Sequence, residues 1–144
     1  MAKIVTLPNG ELVPVLPRSW WLFWLPTGFS ITLSPNVYVP ANHLEGGYET
    51  TLMNILVHEN VHLHQQTLGK SKFYWKYITS RSFRYACELE AYTTQYQYYM
   101  TQKNYSYNMD SIIENTATML SSSNYFWCVS KAKALNDLTI ALKG

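Results

Sequence analysis

Two histidines, His58 and His62, stand four positions apart with a glutamate, Glu59, directly after the first, inside the run ETTLMNILVHENVHLHQQTL. The run reads as helix. On a helix each residue turns about 100° and rises about 1.5 Å, so His58 and His62 lie one turn apart and within about 40° of each other, where two imidazoles can hold one metal ion. Glu59 falls beside that face. It is placed to take a proton from an attacking water and not to compete as a ligand, which is why the chemistry needs the carboxylate immediately after the first histidine. The pattern is HExxH, and the chemistry it points to is metal-assisted hydrolysis with Zn²⁺ as the ion.

A catalytic zinc site needs a third protein ligand and an open position for water, so another His, Glu or Asp must arrive from a separate element. The segment SFRYACELEAYTTQYQYYMTQK carries Glu88 and Glu90 in a run with helical patterning, far enough along the chain for an antiparallel return. The two point about 200° apart on a helix, so only one of them can face the ion.

HExxHxxQ, from His58 to Gln65, followed by Glu-x-Glu-Ala, from Glu88 to Ala91, resembles the minimal gluzincins, small metallopeptidase-like proteins of bacteria and phages. The aromatic and basic stretch from Phe73 to Ile78 also resembles the linker between the two motifs in that group. The resemblance covers residues 50 to 95 or so. In relatives with a Glu-x-x-Ala-Asp segment the first glutamate binds the metal, so the resemblance makes Glu88 the third ligand beside His58 and His62, with Glu90 as the fallback. Where many relatives have aspartate this chain has Tyr92, which removes a carboxylate that would orient a histidine. The Tyr92 hydroxyl could donate to a ligand or an oxyanion; packing within a tyrosine-rich helix is the plainer expectation.

Other candidates carry less. His64 is about 200° from His62 and reads as a solvated or hydrogen-bonded side chain. Gln65 shares roughly the ligand face and could fix His62 or touch substrate. His43, in the loop before the motif helix, reads as a solvated loop histidine with proton donation as the rival. Arg81 and Arg84 read as surface charges that could pair with Glu88, Glu90 or a peptide carboxylate.

Composition narrows the function classes. A net charge of +2, only 14% charged residues, no Lys/Arg block and no glycine-rich phosphate loop argue against nucleic acid as the main partner. The twelve tyrosines, most of them between Tyr74 and Tyr125, could face assembly partners as easily as a core. The longest apolar run, SWWLFWL between Pro17 and Pro26, is far short of the roughly 20 residues of a membrane span, so Trp20, Trp21 and Trp24 are expected as core or wall residues. The amino terminus has no hydrophobic signal core, from which a cytoplasmic or virion-associated location is expected. Cys87 and Cys128 are then expected as reduced, buried thiols.

The elements that must position these residues follow a simple order. IVTL and ELVPVL flank a turn at Pro8-Asn9-Gly10, and FSITL and VYV flank another at Ser34-Pro35-Asn36. Phe29, Ile31 and Leu33 alternate as one buried face. Helices are predicted from about Glu49 to Gly69, from about Ser80 to Lys103, from Asp110, and from Ser130 to Leu142, with Ile112, Ile113, Thr116, Ala117 and Leu120 on one face of the third, and Ala132, Leu135, Leu138 and Leu142 on the fourth. Residues 1–48 are thus mainly strands and loops and 49–144 mainly helices. The chain is expected to be a single α+β domain over 1–144 with a small amino-terminal antiparallel sheet on a helical layer. The resemblance implies a zincin-like active-site helix, and an edge strand before it that pairs with extended peptide; Asn36 to Pro40 is the segment placed there.

The leading expectation is a zinc metallopeptidase acting on a peptide or protein substrate. Its rivals are a structural or assembly protein, such as a phage virion component, whose helices are pinned by zinc, and a metal-free interaction module.

Overall fold

The computed structural model describes residues 1–25, 28–67, 69–102 and 106–144. It shows an α+β fold made of two compact units, Met1–Leu68 and Gly69–Gly144.

The first unit holds all four strands: β1 (Lys3–Thr6), β2 (Leu12–Pro17), β3 (Ile31–Leu33) and β4 (Asn36–Val39), followed by α1 (Glu49–Gln66). β1 and β2 form the expected hairpin, with Gly10 at φ +86° in the turn, a conformation that favours glycine. The sheet order is β1-β2-β4-β3, and β2 pairs with β4 in parallel. The sheet is therefore mixed, not wholly antiparallel. The alternation that marks a strand says which face is buried and nothing about the direction of its neighbour; here the chain between β2 and β3 carries β3 to the outside before β4 returns beside β2. For the same reason Asn36 to Pro40 is not an edge segment: β4 is internal, and β3 is the edge.

Val13, Val15, Val37 and Val39, at 0–1% exposure, alternate along the two central strands and meet Leu52 and Leu56 of α1 with Leu7. Each such side chain contributes about 1.5–3 kcal/mol on burial, so this cluster fixes α1 on the sheet. β3 departs from the expected pattern. Phe29, Ile31 and Leu33 are only half-buried, while Thr32 is buried, because Thr32 faces the motif helix.

The tryptophan segment also differs from expectation. Residues Trp20–Leu22 form one 3-10 turn, of which only Leu22 is buried; Trp20, Phe23 and Trp24 are exposed at 85, 81 and 59%. A single short turn offers one inward position, and Leu22 takes it. Arg18 ties the loop by donating to the carbonyls of Phe29, Leu22 and Leu25 at 3.0–3.1 Å. Pro26, expected to close the run, lies outside the described residues.

The second unit contains α2 (Lys70–Thr79), α3 (Arg81–Thr101), α4 (Met109–Leu120) and α5 (Lys131–Lys143). The stretch read as a linker, Phe73 to Ile78, is helical, and α1 stops at Gln66, short of Gly69, which precedes α2 as its N-cap at φ +122°. Ser80, Asn108 and Ser130 cap α3, α4 and α5 by accepting amide hydrogen bonds, each leaving a polar side chain at the first turn where four amides lack partners. Lys103, the expected end of α3, lies outside the described residues. α4 buries Ile113, Thr116, Ala117 and Leu120 as predicted except for half-buried Ile112; α5 buries Ala134 and Leu138, with Ala132 turned outward. Tyr85, Tyr92, Tyr96 and Tyr125 lie in this unit's core, and Cys87 and Cys128 are buried thiols not joined in a disulfide. No described helix is long and apolar enough to cross a membrane.

Candidate metal centre

α1 carries an unusual load of buried polar side chains. Asn54, His58, Glu59, Asn60, His62 and Gln66 are all at or below 9% exposure. Buried polar groups ordinarily find partners, and all of these do so except the Asn54 side-chain oxygen, which has none among the described residues.

His58 and His62 turn the same nitrogen toward the same point: their Nε2 atoms are 3.2 Å apart. Two imidazoles on one tetrahedral zinc, each bound at about 2.0–2.1 Å, bring their nitrogens to about 3.3 Å. The pair is set at the spacing a shared ion needs. Gln65 fixes the ring of His62, whose Nδ1–H donates to Gln65 Oε1 at 2.8 Å. In a neutral ring that places the proton on Nδ1 and the lone pair on Nε2, the form a metal requires. Gln65 thus does what the spacing suggested, by touching His62 itself.

Glu59 is buried beside them. Thr32 Oγ1 donates to Glu59 Oε2 at 2.5 Å, so one carboxylate oxygen is held by strand β3. Gln66 joins the same strand through both ends of its amide: Nε2 donates to Thr32 O at 2.9 Å, and Oε1 accepts from Ser34 N at 2.9 Å. Binding the carbonyl of one residue and the amide of the residue two further on is what one residue of a parallel neighbour would do. Gln66 closes that part of the sheet edge. The motif thus left two residues unfound, Thr32 and Gln66. The available signal was that Gln66 lies seven positions after Glu59, two helical turns along nearly one face, and so must meet whatever Glu59 meets.

Glu88 is the buried member of the glutamate pair, at 2% exposure, and Glu90 is exposed. The Tyr77 hydroxyl donates to Glu88 Oε1. The charge of Glu88 is felt nearby: burial and then Glu88 push the Tyr125 hydroxyl well above its ordinary value, and burial with Glu88 and Glu90 pushes the Cys87 thiol up to about 11. His58, His62 and Glu88 form a buried group whose ligand atoms all lie within 4.8 Å of one another, a set that could hold a metal ion. Two imidazoles and one carboxylate are a donor set suited to zinc.

The remaining candidates take other places. His64 is exposed and pairs with Glu11 at 2.9 Å. His43, half-buried against Tyr48, lines an open cleft of about 690 Å³ with Arg18, Trp20, Phe23 and Asn42. Tyr92 is buried, its hydroxyl 2.7 Å from that of Tyr125. Arg81 is exposed, but Arg84 is not the surface charge expected: at 3% exposure its guanidinium donates to the carbonyls of Tyr77, Ile78 and Tyr125. Comparison with protein-family models, with curated proteins and with solved structures finds no match to this chain.

Proposed function

We propose that this chain is a zinc-dependent hydrolase of peptide bonds, with His58, His62 and Glu88 as the ligands and Glu59 as general base. The observation that carries the reading is the 3.2 Å approach of the two Nε2 atoms, on a helix that also places a buried carboxylate directly after the first histidine.

A zinc ion held there would polarise a scissile carbonyl and acidify an attacking water. The protein's own groups do the rest. His62 is kept in the right tautomer by Gln65, and Thr32 holds Glu59 Oε2 so that Oε1 takes the proton from the attacking water and returns it to the leaving amine. Proton transfer by a positioned carboxylate contributes typically about 10²–10⁴-fold in rate.

The test is a matched pair of peptidase assays on wild type and Glu59→Gln at equal zinc occupancy. The variant keeps its zinc and its fold and loses at least about 100-fold in rate. Equal activity of the two proteins assigns the hydrolysis to another site or to a contaminant. A second reading, in which zinc pins a structural or assembly protein, is favoured by the burial of all three donors together with Glu59. It is the better account if both proteins bind zinc and neither cleaves any member of a broad peptide library.

A further inference from the structure

We infer that Tyr77 is the positioning residue of Glu88, holding one carboxylate oxygen while leaving the charge intact for the ion, and that Arg84 sets Tyr77 in place. The inference rests on the zinc reading above and concerns how its third ligand is prepared.

Arg84 lies one turn before Glu88 on α3, and both are buried, at 3 and 2% exposure. Opposite charges at that spacing on one helix face ordinarily pair. Here the guanidinium goes elsewhere: Nη1 donates to the carbonyls of Tyr77 and Ile78, and Nε donates to the carbonyl of Tyr125 at 3.0 Å. Tyr77 and Ile78 belong to the last turn of α2, whose carbonyls have no partner within their own helix, so Arg84 acts as its cap. The other arm secures a strained segment. Phe126 and Trp127, neither a glycine, follow Tyr125 at φ +54° and +47°, and the guanidinium lies 5.4 Å from the Phe126 ring.

With the end of α2 fixed, the Tyr77 ring stacks on Phe73 at 5.7 Å, and its hydroxyl meets Glu88 Oε1. The donor's chemistry matters. A guanidinium on Glu88 would neutralise the charge that a metal ligand contributes; a phenol donates one hydrogen bond and stays neutral. The arrangement orients the carboxylate and preserves its anionic character.

The experiment titrates Co²⁺ and Zn²⁺ into the full metal-free chain as wild type and as Tyr77→Phe, with melting temperatures of both metal-free proteins. Losing the hydroxyl should weaken binding about 10- to 100-fold and change the position and intensity of the Co²⁺ d–d bands, as the carboxylate changes its binding mode. The metal-free melting temperatures should agree. Wild-type affinity with an unaltered Co²⁺ spectrum in Tyr77→Phe overturns the inference and leaves the zinc reading standing; so does a loss of affinity matched by an equal loss of metal-free stability. A wild type that binds neither ion stoichiometrically overturns both. Arg84→Lys, which cannot reach three carbonyls with one ammonium, should reproduce the spectral change, and adding it to Tyr77→Phe should cost little more. If Arg84→Lys does not fold, Tyr77→Phe decides alone.

Discussion

Replacing Thr32 by valine removes one hydroxyl and nearly nothing else, since the two side chains have almost the same shape. That hydroxyl is buried at 4% exposure and donates to the carboxylate of Glu59, itself at 7%, over 2.5 Å. A hydrogen bond to a charged group contributes about 1.5–3 kcal/mol net, against about 0.5–1.5 for a neutral pair. Thr32→Val should therefore lower stability by about 1.5–3 kcal/mol, or about 3–12 °C in melting temperature for a chain of this size. A double-mutant cycle isolates the contact. In a Glu59→Gln background the acceptor is a neutral amide, so the same Thr32→Val change should cost only about 1 kcal/mol, and the difference is the coupling of hydroxyl to charge. In a zinc-loaded peptidase assay, Thr32→Val should also reduce kcat about 10- to 100-fold, because the base loses its support. Equal melting temperatures for wild type and Thr32→Val, or equal losses in the two backgrounds, would refute the argument that β3 holds Glu59 through this bond.

The other predictions concern the ligands and one pH-dependent contact. His58→Ala and His62→Ala should each abolish stoichiometric zinc by elemental analysis, because two remaining donors bind weakly; zinc content equal to wild type in both variants would eliminate the site. Glu88→Gln should weaken zinc binding substantially in a competition titration while Glu90→Gln leaves it unchanged, since Glu90 is exposed and Glu88 buried; the opposite order would exchange their roles. Glu11 is held below the ordinary carboxylate range by hydrogen bonds from His64 and then Asn60. A depressed folded-state value means the contact is fully present above the unfolded value and lost as pH falls through the folded one, so exchange of the Asn60 side-chain amide, measured relative to a free asparagine amide at each pH, should lose its retardation as pH is lowered through and below the ordinary carboxylate range. Unchanged relative exchange would show that Glu11 does not hold Asn60.

What the sequence discloses about this molecule follows from the range of each interaction. His58, Glu59, His62 and Gln65 all lie on one helix, so helical spacing alone places them, and the structure has His62 Nδ1 on Gln65 and the two Nε2 atoms facing each other. In the sequence the choice between Glu88 and Glu90 rests on resemblance, since spacing says only that the two face apart; burial separates them in the structure. Thr32 was illegible for a different reason. β3 is three residues long, and its flanking Ile31 and Leu33 present the better apolar pattern, so period-two reasoning turned the wrong face inward. The face that won did so through polar contacts: Thr32 meets Glu59, and Gln66 binds the backbone on either side of Leu33. Hydrophobic periodicity cannot register an edge strand held to a helix by side-chain hydrogen bonds. Arg84 escaped by the same logic, because its partners are backbone carbonyls, which have no sequence signature, and a lone arginine one turn from a glutamate reads as half of a surface pair. The residues without a sequence signature are thus those that hold the two buried carboxylates from other positions: Thr32 on Glu59, and Tyr77, whose carbonyl accepts from Arg84, on Glu88.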